Sequence, residues 1–240
     1  MHAALLALSF VLFQVDLGLG YQPDLDLPVL PENYDPAKQP PPPVPPGDHG
    51  DPRDEPPPVF YGEEIPTESA SLVYVLDFSG SMSFGNRVDT AKAEFRRSVS
   101  ELPPTFRLNV VIYDCSIISW SSRAKQATPD AKADAIRWVE SQHPAGGGTA
   151  TGPAVALGLA EKENLAVALL TDGDPNCGAD RHEGHRAMIR HANSQGAVIT
   201  VFGIDAWGEY RVFCQNVAAD SGGAYFDVPS TTPSKGKGGM

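Results

Sequence analysis

The sequence predicts a doubly wound α/β fold: a mostly parallel sheet with one antiparallel edge strand and helices on both faces. Three observations carry this. Residues 72–76 and 165–170 are short, continuous apolar runs, and 197–202 is another broken only by Thr200, as expected of parallel strands covered on both sides. Between them lie stretches whose apolar residues recur at three- and four-residue steps, the period of amphipathic helices. Glycine and hydroxyl residues follow the first and second of these runs, placing polar loops at one end of the sheet in a Rossmann-like arrangement.

The elements follow in order. A strand over 72–76 is succeeded by a helix over 88–102, in which Val88, Ala91, Phe95, Val99 and Leu102 share one face. Residues 107–113 alternate like a half-exposed strand, and 116–120 can fold back on it as the antiparallel edge. Thr128-Pro129 has the cap-then-proline order of a helix start, so a helix runs from there towards Gln142. A helix follows Thr149 through Leu159, then a strand over 165–170, a helix over 182–194, a strand over 197–202, a helix over 209–219 and a last strand over 224–228.

The most informative stretch is Asp77-Phe78-Ser79-Gly80-Ser81, directly after the first strand. One carboxylate and two hydroxyls at a strand end are hard oxygen donors of the kind Mg²⁺ or Ca²⁺ takes, although the same pattern alone also caps helices. Two further segments add weight: Gly147-Gly148-Thr149-Ala150-Thr151-Gly152 before a helix, and Thr171-Asp172-Gly173 after an apolar strand. All three can meet at the carboxyl end of a parallel sheet, where such folds bind ligands.

In these segments the chain resembles a von Willebrand factor type A domain with a complete metal-ion-dependent adhesion site. The resemblance implies that Ser79, Ser81 and Thr149 touch the metal directly, while Asp77 and Asp172 hold it through water and orient the hydroxyls. It covers about residues 69–229. It further implies a Mg²⁺ site, with Mn²⁺ or Ca²⁺ as substitutes, that captures an Asp or Glu of a protein partner: three neutral hydroxyls leave most of the ion's charge uncompensated and one vertex open. Zn²⁺ is disfavoured because no His or Cys belongs to the set. Relatives usually carry one more helix after the last strand; here Pro229-Ser230-Thr231-Thr232-Pro233 interrupts the chain, which argues against a switch worked by that helix.

The function expected is metal-dependent protein binding, in adhesion or assembly, and not catalysis. One alternative is an assembly domain whose metal only stabilises the loops. A remote one is a haloacid-dehalogenase-like phosphotransferase, but Ser79 stands where that chemistry needs a second acid. The run Gly146-Gly147-Gly148 to Gly152 follows a helix and His143-Pro144, whereas a dinucleotide fingerprint requires a strand there. A P-loop lysine and a G-x-S-x-G elbow are missing. Eighteen basic against 30 acidic residues give a formal charge of -12, a field that repels phosphate backbones and excludes nucleic acid as a natural partner.

Outside the core, residues 1–20 are expected to be a signal peptide, with the apolar run 3–13 and small residues Gly18-Leu19-Gly20, so the chain is expected to be secreted, periplasmic or cell-surface associated. No apolar stretch is long enough for a transmembrane helix. Residues 21–69 hold most of the 23 prolines and are expected to be an extended, disordered spacer without a core; residues 70–229 form the domain and 230–240 a polar tail. Of the three cysteines, Cys177 and Cys214 sit on loops adjacent in the inferred sheet and are the best disulfide candidates, leaving Cys115 as a buried spare; three reduced thiols remain the alternative. His182-Glu183-Gly184-His185, flanked by arginines, is expected to be a solvated helix start and not a metal site. Asp174, Asp205 and Trp207 lie on loops that should ring the metal mouth.

Overall fold

The computed structural model describes residues 55–144 and 146–230. The expected signal segment, most of the proline-rich spacer and the tail beyond Ser230 lie outside those residues. The chain enters through a small hairpin, Val59–Phe60 (β1) and Glu63–Glu64 (β2), whose two-residue turn Tyr61-Gly62 has positive φ at both positions. That geometry matches the twist of paired strands.

This hairpin departs from the expectation of a coreless spacer running to residue 69. Phe60 and Ile65 are fully buried, and the Phe60 ring stands edge-on to Tyr74 and Phe202 at 5.5 and 4.9 Å. Burial of these apolar side chains, with the Ser98 hydroxyl of the following helix donating to the Val59 carbonyl at 2.6 Å, pins this proline-flanked segment to the domain.

The main sheet contains Ser71–Asp77 (β3), Arg107–Tyr113 (β4), Ile117–Ser119 (β5), Lys125–Gln126 (β6), Ala166–Thr171 (β7), Val198–Ile204 (β8) and Tyr225–Val228 (β9). Its order is β5-β4-β3-β7-β8-β9, with β6 also on β4. The inner pairs are parallel; β5 and β6 pair antiparallel with the two ends of β4, so the edge strand expected over 116–120 is present as β5 and β6 is a second short antiparallel piece that the sequence did not suggest.

The helices are Arg87–Glu101 (α1), Pro129–Ser141 (α2), Thr151–Gly158 (α3), Arg181–Ala192 (α4) and Gly208–Asp220 (α5). Thr128 caps α2 as the sequence suggests, its hydroxyl accepting from the Ala131 N–H at 3.2 Å with Pro129 at the first position.

The pleat of β3 divides the core in two. Leu72, Tyr74 and Leu76 face α1, α2 and the hairpin with Phe95, Val99, Ala135 and Val139; Val73 and Val75 face α3, α4 and α5 with Val155, Ile189, Phe213 and Val217. Burial on both faces is why the strands are continuously apolar. From β3 the chain steps outward to β4 on one side and later returns to β7 on the other. The strand order therefore reverses between β3 and β7, and the carboxyl ends of these two strands flank the crevice where such sheets bind ligands.

Candidate metal centre

Asp77 closes β3 and is fully buried. Its Oδ1 accepts the Ser79 N–H at 2.8 Å, and its Oδ2 accepts the Thr171 hydroxyl at 2.7 Å and the Tyr113 hydroxyl at 3.4 Å. Burial, with the neighbouring charge of Asp172 second, pushes its carboxyl up to about 7. Beyond it the chain turns through a 3₁₀ segment, Gly80–Ser83, which brings the Ser79 and Ser81 hydroxyls within 3.1 Å of each other.

The glycine loop before α3 docks directly on this turn. The Gly80 N–H donates to the Gly147 carbonyl at 2.9 Å, and the Ala150 N–H to the Asp114 carbonyl at 2.9 Å. Thr149, buried between them, is gripped by Asn176: its N–H donates to Asn176 Oδ1 at 2.9 Å, and its carbonyl accepts the Asn176 N–H at 3.0 Å. A Cβ on Gly148 would stand 2.1 Å from that Asn176 oxygen, so only glycine lets the loop lie so close.

Asp172 follows β7 and is 7% exposed. Its carboxyl is also raised, mainly by burial. Oδ2 accepts from Arg87 Nη1 at 3.1 Å, whereas Oδ1 is buried without any hydrogen-bond partner. Gly173, at φ 93°, lets the chain turn away under α5; a Cβ there would strike the Tyr210 carbonyl at 2.8 Å.

The five sequence-derived residues, Asp77, Ser79, Ser81, Thr149 and Asp172, thus sit on three loops at the β3/β7 crevice. Two of the loops are joined by the Gly80–Gly147 hydrogen bond, and the first and third by the Asp77–Thr171 bond. Among the described residues no group of three or more His, Cys, Asp or Glu gathers to hold a metal. What this crevice offers is hydroxyl and carboxylate oxygen, the donor chemistry of Mg²⁺, Mn²⁺ and Ca²⁺, together with one buried carboxylate oxygen that no protein group satisfies. The donor set fits a hard divalent ion.

Sequence reasoning missed several residues here. Arg87 bridges Asp172 and Asp205, with Nε donating to Asp205 Oδ2 at 3.1 Å. Tyr113 and Thr171 hold Asp77, and Asn176 holds Thr149. Only Thr171 left a trace in the sequence, as the hydroxyl preceding Asp172. Of the loop residues expected around the mouth, Asp205 is committed to Arg87 and to the Ser230 N–H, at 3.1 Å, while Trp207 is 72% exposed.

Two expectations are corrected. The disulfide joins Cys115 to Cys177, with Cα atoms 5.8 Å apart, and Cys214 is the buried free thiol. The α5 register turns Cys214 inward with Phe213, Val217 and Ala218, while the β4–β5 turn carries Cys115 across to the loop after β7. His185 is buried, not solvated. Its Nδ1 accepts the Gly152 N–H at 2.8 Å, tying α4 to the start of α3.

No protein-family model matches the chain. It is 30% identical over 178 residues to inter alpha-trypsin inhibitor, heavy chain 4, of Mus musculus, covering 68% of this chain and 18% of that protein. It is 26% identical over 145 residues to inter-alpha-trypsin inhibitor heavy chain H3 of Homo sapiens, covering 55% of this chain and 16% of that one. The chain therefore spans less than a fifth of the length of these relatives.

Among solved structures it is similar to a von Willebrand factor type A protein from Catenulispora acidiphila, with 21% identity and a TM-score of 0.57 over 67% of this chain and 38% of that one. Another is proximal thread matrix protein 1 from the mussel byssus with a zinc-occupied MIDAS motif, with 17% identity and a TM-score of 0.53 over 67% of this chain and 44% of that one. The strand order, the helices on both faces and these likenesses agree: the described body of the chain is a domain of the von Willebrand factor type A fold.

Proposed function

We propose that this domain binds a protein partner through a divalent cation, with Ser79, Ser81 and Thr149 as direct ligands and Asp77 and Asp172 acting through water. The observation that carries the reading is the buried Asp172 Oδ1, which has no hydrogen-bond partner, on the loop across the β3/β7 crevice from the paired hydroxyls of Ser79 and Ser81. A buried carboxylate oxygen left unsatisfied costs free energy unless a cation or water meets it. When bound, the ion supplies a positively charged, open coordination position suited to an Asp or Glu side chain of the partner. Mg²⁺ is the ion proposed; the zinc-occupied neighbour makes Zn²⁺ a necessary comparison.

Each residue has a definable part. Thr171 and Tyr113 fix the Asp77 carboxylate, which in turn fixes the Ser79 backbone and with it the start of the hydroxyl-bearing turn. Asn176 sets the Thr149 backbone from both sides. The phosphotransferase alternative needs a strand-terminal Asp free to attack, yet both oxygens of Asp77 accept hydrogen bonds in a fully buried position. We therefore assign the crevice to binding and not to catalysis.

Placement outside the reducing cytosol is part of the same proposal, supported by the Cys115–Cys177 bond and by the apolar N-terminal run. Among the described residues no helix is long and apolar enough to cross a membrane. The test has two stages. Titration calorimetry with Mg²⁺, Mn²⁺ and Zn²⁺ should give binding to the wild type that is lost in Asp77→Ala. Capture from the native extracellular fraction should then require the ion, fail in EDTA, and fall in Thr149→Ala while the melting temperature stays near wild type. Capture indifferent to both EDTA and Thr149→Ala would leave the loop-stabilising alternative as the better reading.

A further inference from the structure

The crevice already contains a cation of its own. Arg87 opens α1 with its side chain 20% exposed, and its guanidinium reaches three loops: Nη1 to Asp172 Oδ2 at 3.1 Å, Nη1 to the Ser81 carbonyl at 3.2 Å, and Nε to Asp205 Oδ2 at 3.1 Å. Among the described residues no other Lys, Arg or His pairs with Asp77 or Asp172. Two buried carboxylates that repel each other thus have one resident counter-charge, placed on one oxygen of Asp172 while the other oxygen stays free.

We propose that Arg87 is a built-in counter-ion that shares Asp172 with the divalent ion, organises the three loops when no ion is bound, and lowers the affinity with which an ion is taken up. The inference rests on the metal reading above. Two effects oppose each other when Arg87 is neutralised. Loss of the Asp172 contact loosens a carboxylate that would hold the ion through water, which weakens binding; loss of a positive charge beside a dication strengthens it.

The first effect is small because the backbone that carries Asp172 is held independently of Arg87. Asp172 directly follows β7, whose last residue Thr171 is in register with Gly203 of β8 and bonds Asp77, and the Gly173 N–H donates to Thr171 Oγ1 at 3.0 Å, so the backbone on both sides of Asp172 is fixed. The second is a unit charge against a dication across one carboxylate group, which remains appreciable even at the high effective permittivity of a partly exposed site. The sum favours tighter binding by about tenfold in the neutral variant.

Calorimetry with Mg²⁺ and Mn²⁺ on wild type, Arg87→Gln and Arg87→Lys tests this, beside urea unfolding in EDTA of Arg87→Gln, Asp172→Asn and the double variant. The expected results are a roughly tenfold lower Kd in Arg87→Gln, a Kd within about threefold of wild type in the charge-retaining Arg87→Lys, and a favourable coupling between Arg87 and Asp172 in the metal-free cycle. Unchanged or weaker ion binding in Arg87→Gln overturns the proposal. If neither wild type nor Arg87→Gln takes up an ion, the metal reading falls. An absent coupling in EDTA separately removes Arg87 as the counter-ion of Asp172.

Discussion

Removing the Cys115–Cys177 bond should be among the most costly changes that leave the core untouched. The two cysteines are 62 residues apart in sequence. In the chain-entropy treatment, closing a loop of that size removes about 14 cal/mol/K from the unfolded ensemble, or about 4 kcal/mol at 25 °C. Packing adds little to this, because Cys115 is exposed and Cys177 only half-buried, so serine replacements open no cavity. For a domain of this size the loss corresponds to a fall in Tm of roughly 10 °C. The bond also fastens the loops around Thr149: the Cys177 N–H donates to the Thr149 carbonyl at 3.3 Å, and a Cβ on Gly148 would lie 3.1 Å from the Cys115 sulfur. Urea unfolding of oxidised wild type against Cys115→Ser/Cys177→Ser measures the difference, with Cys214 left in place. A loss below about 1 kcal/mol would refute the entropic argument, and a free-thiol count of three in natively produced protein would refute the bond itself.

Three further outcomes follow from particular contacts. Asp77, with its carboxyl pushed up to about 7, is largely protonated below that pH in the metal-free domain, so ion uptake should release a proton; apparent affinity should rise from pH 6 to 8 and level off above, as calorimetry in buffers of different ionisation enthalpy would show. Gly152→Ala places a Cβ 2.9 Å from the His185 Cα and 3.1 Å from its carbonyl, backbone atoms that cannot yield cheaply, and should cost about 1–3 kcal/mol in chemical denaturation. Asp220 is held below the usual carboxylate range by its bonds to Arg186 and then Arg190; its depressed folded-state value means the contribution is present above the unfolded value and lost as pH falls through the folded one. Asp220→Asn should therefore cost about 1 kcal/mol near pH 7, with the gap to wild type closing towards pH 3.

The sheet, the helices and the loop positions of the candidate oxygen donors are readable along the chain. Parallel strands buried on both faces are nearly continuously apolar, so 72–76, 165–170 and 197–202, the last broken only by Thr200, are recognisable, and the helices between them follow from one-sided periodicity. Asp77, Ser79, Ser81, Thr149 and Asp172 were legible because each follows a strand or precedes a helix, and a parallel sheet gathers the carboxyl ends of its strands at one edge. Thr128-Pro129 fixed the start of α2 for the same local reason.

Long-range packing alone settles that Arg87 reaches Asp172, 85 residues away, that Cys115 and not Cys214 meets Cys177, that His185 turns inward onto Gly152, and that Phe60 and Ile65 anchor a segment whose prolines suggest a free spacer. The physical reason is common to all four. Strand and helix patterns are set by the solvent environment of a face, which repeats along the chain and can be read from it. A charge pair, a disulfide, a buried imidazole and a docked hairpin are each set by one long-range partner, and nothing in the local sequence records which partner the folded sheet will bring within reach.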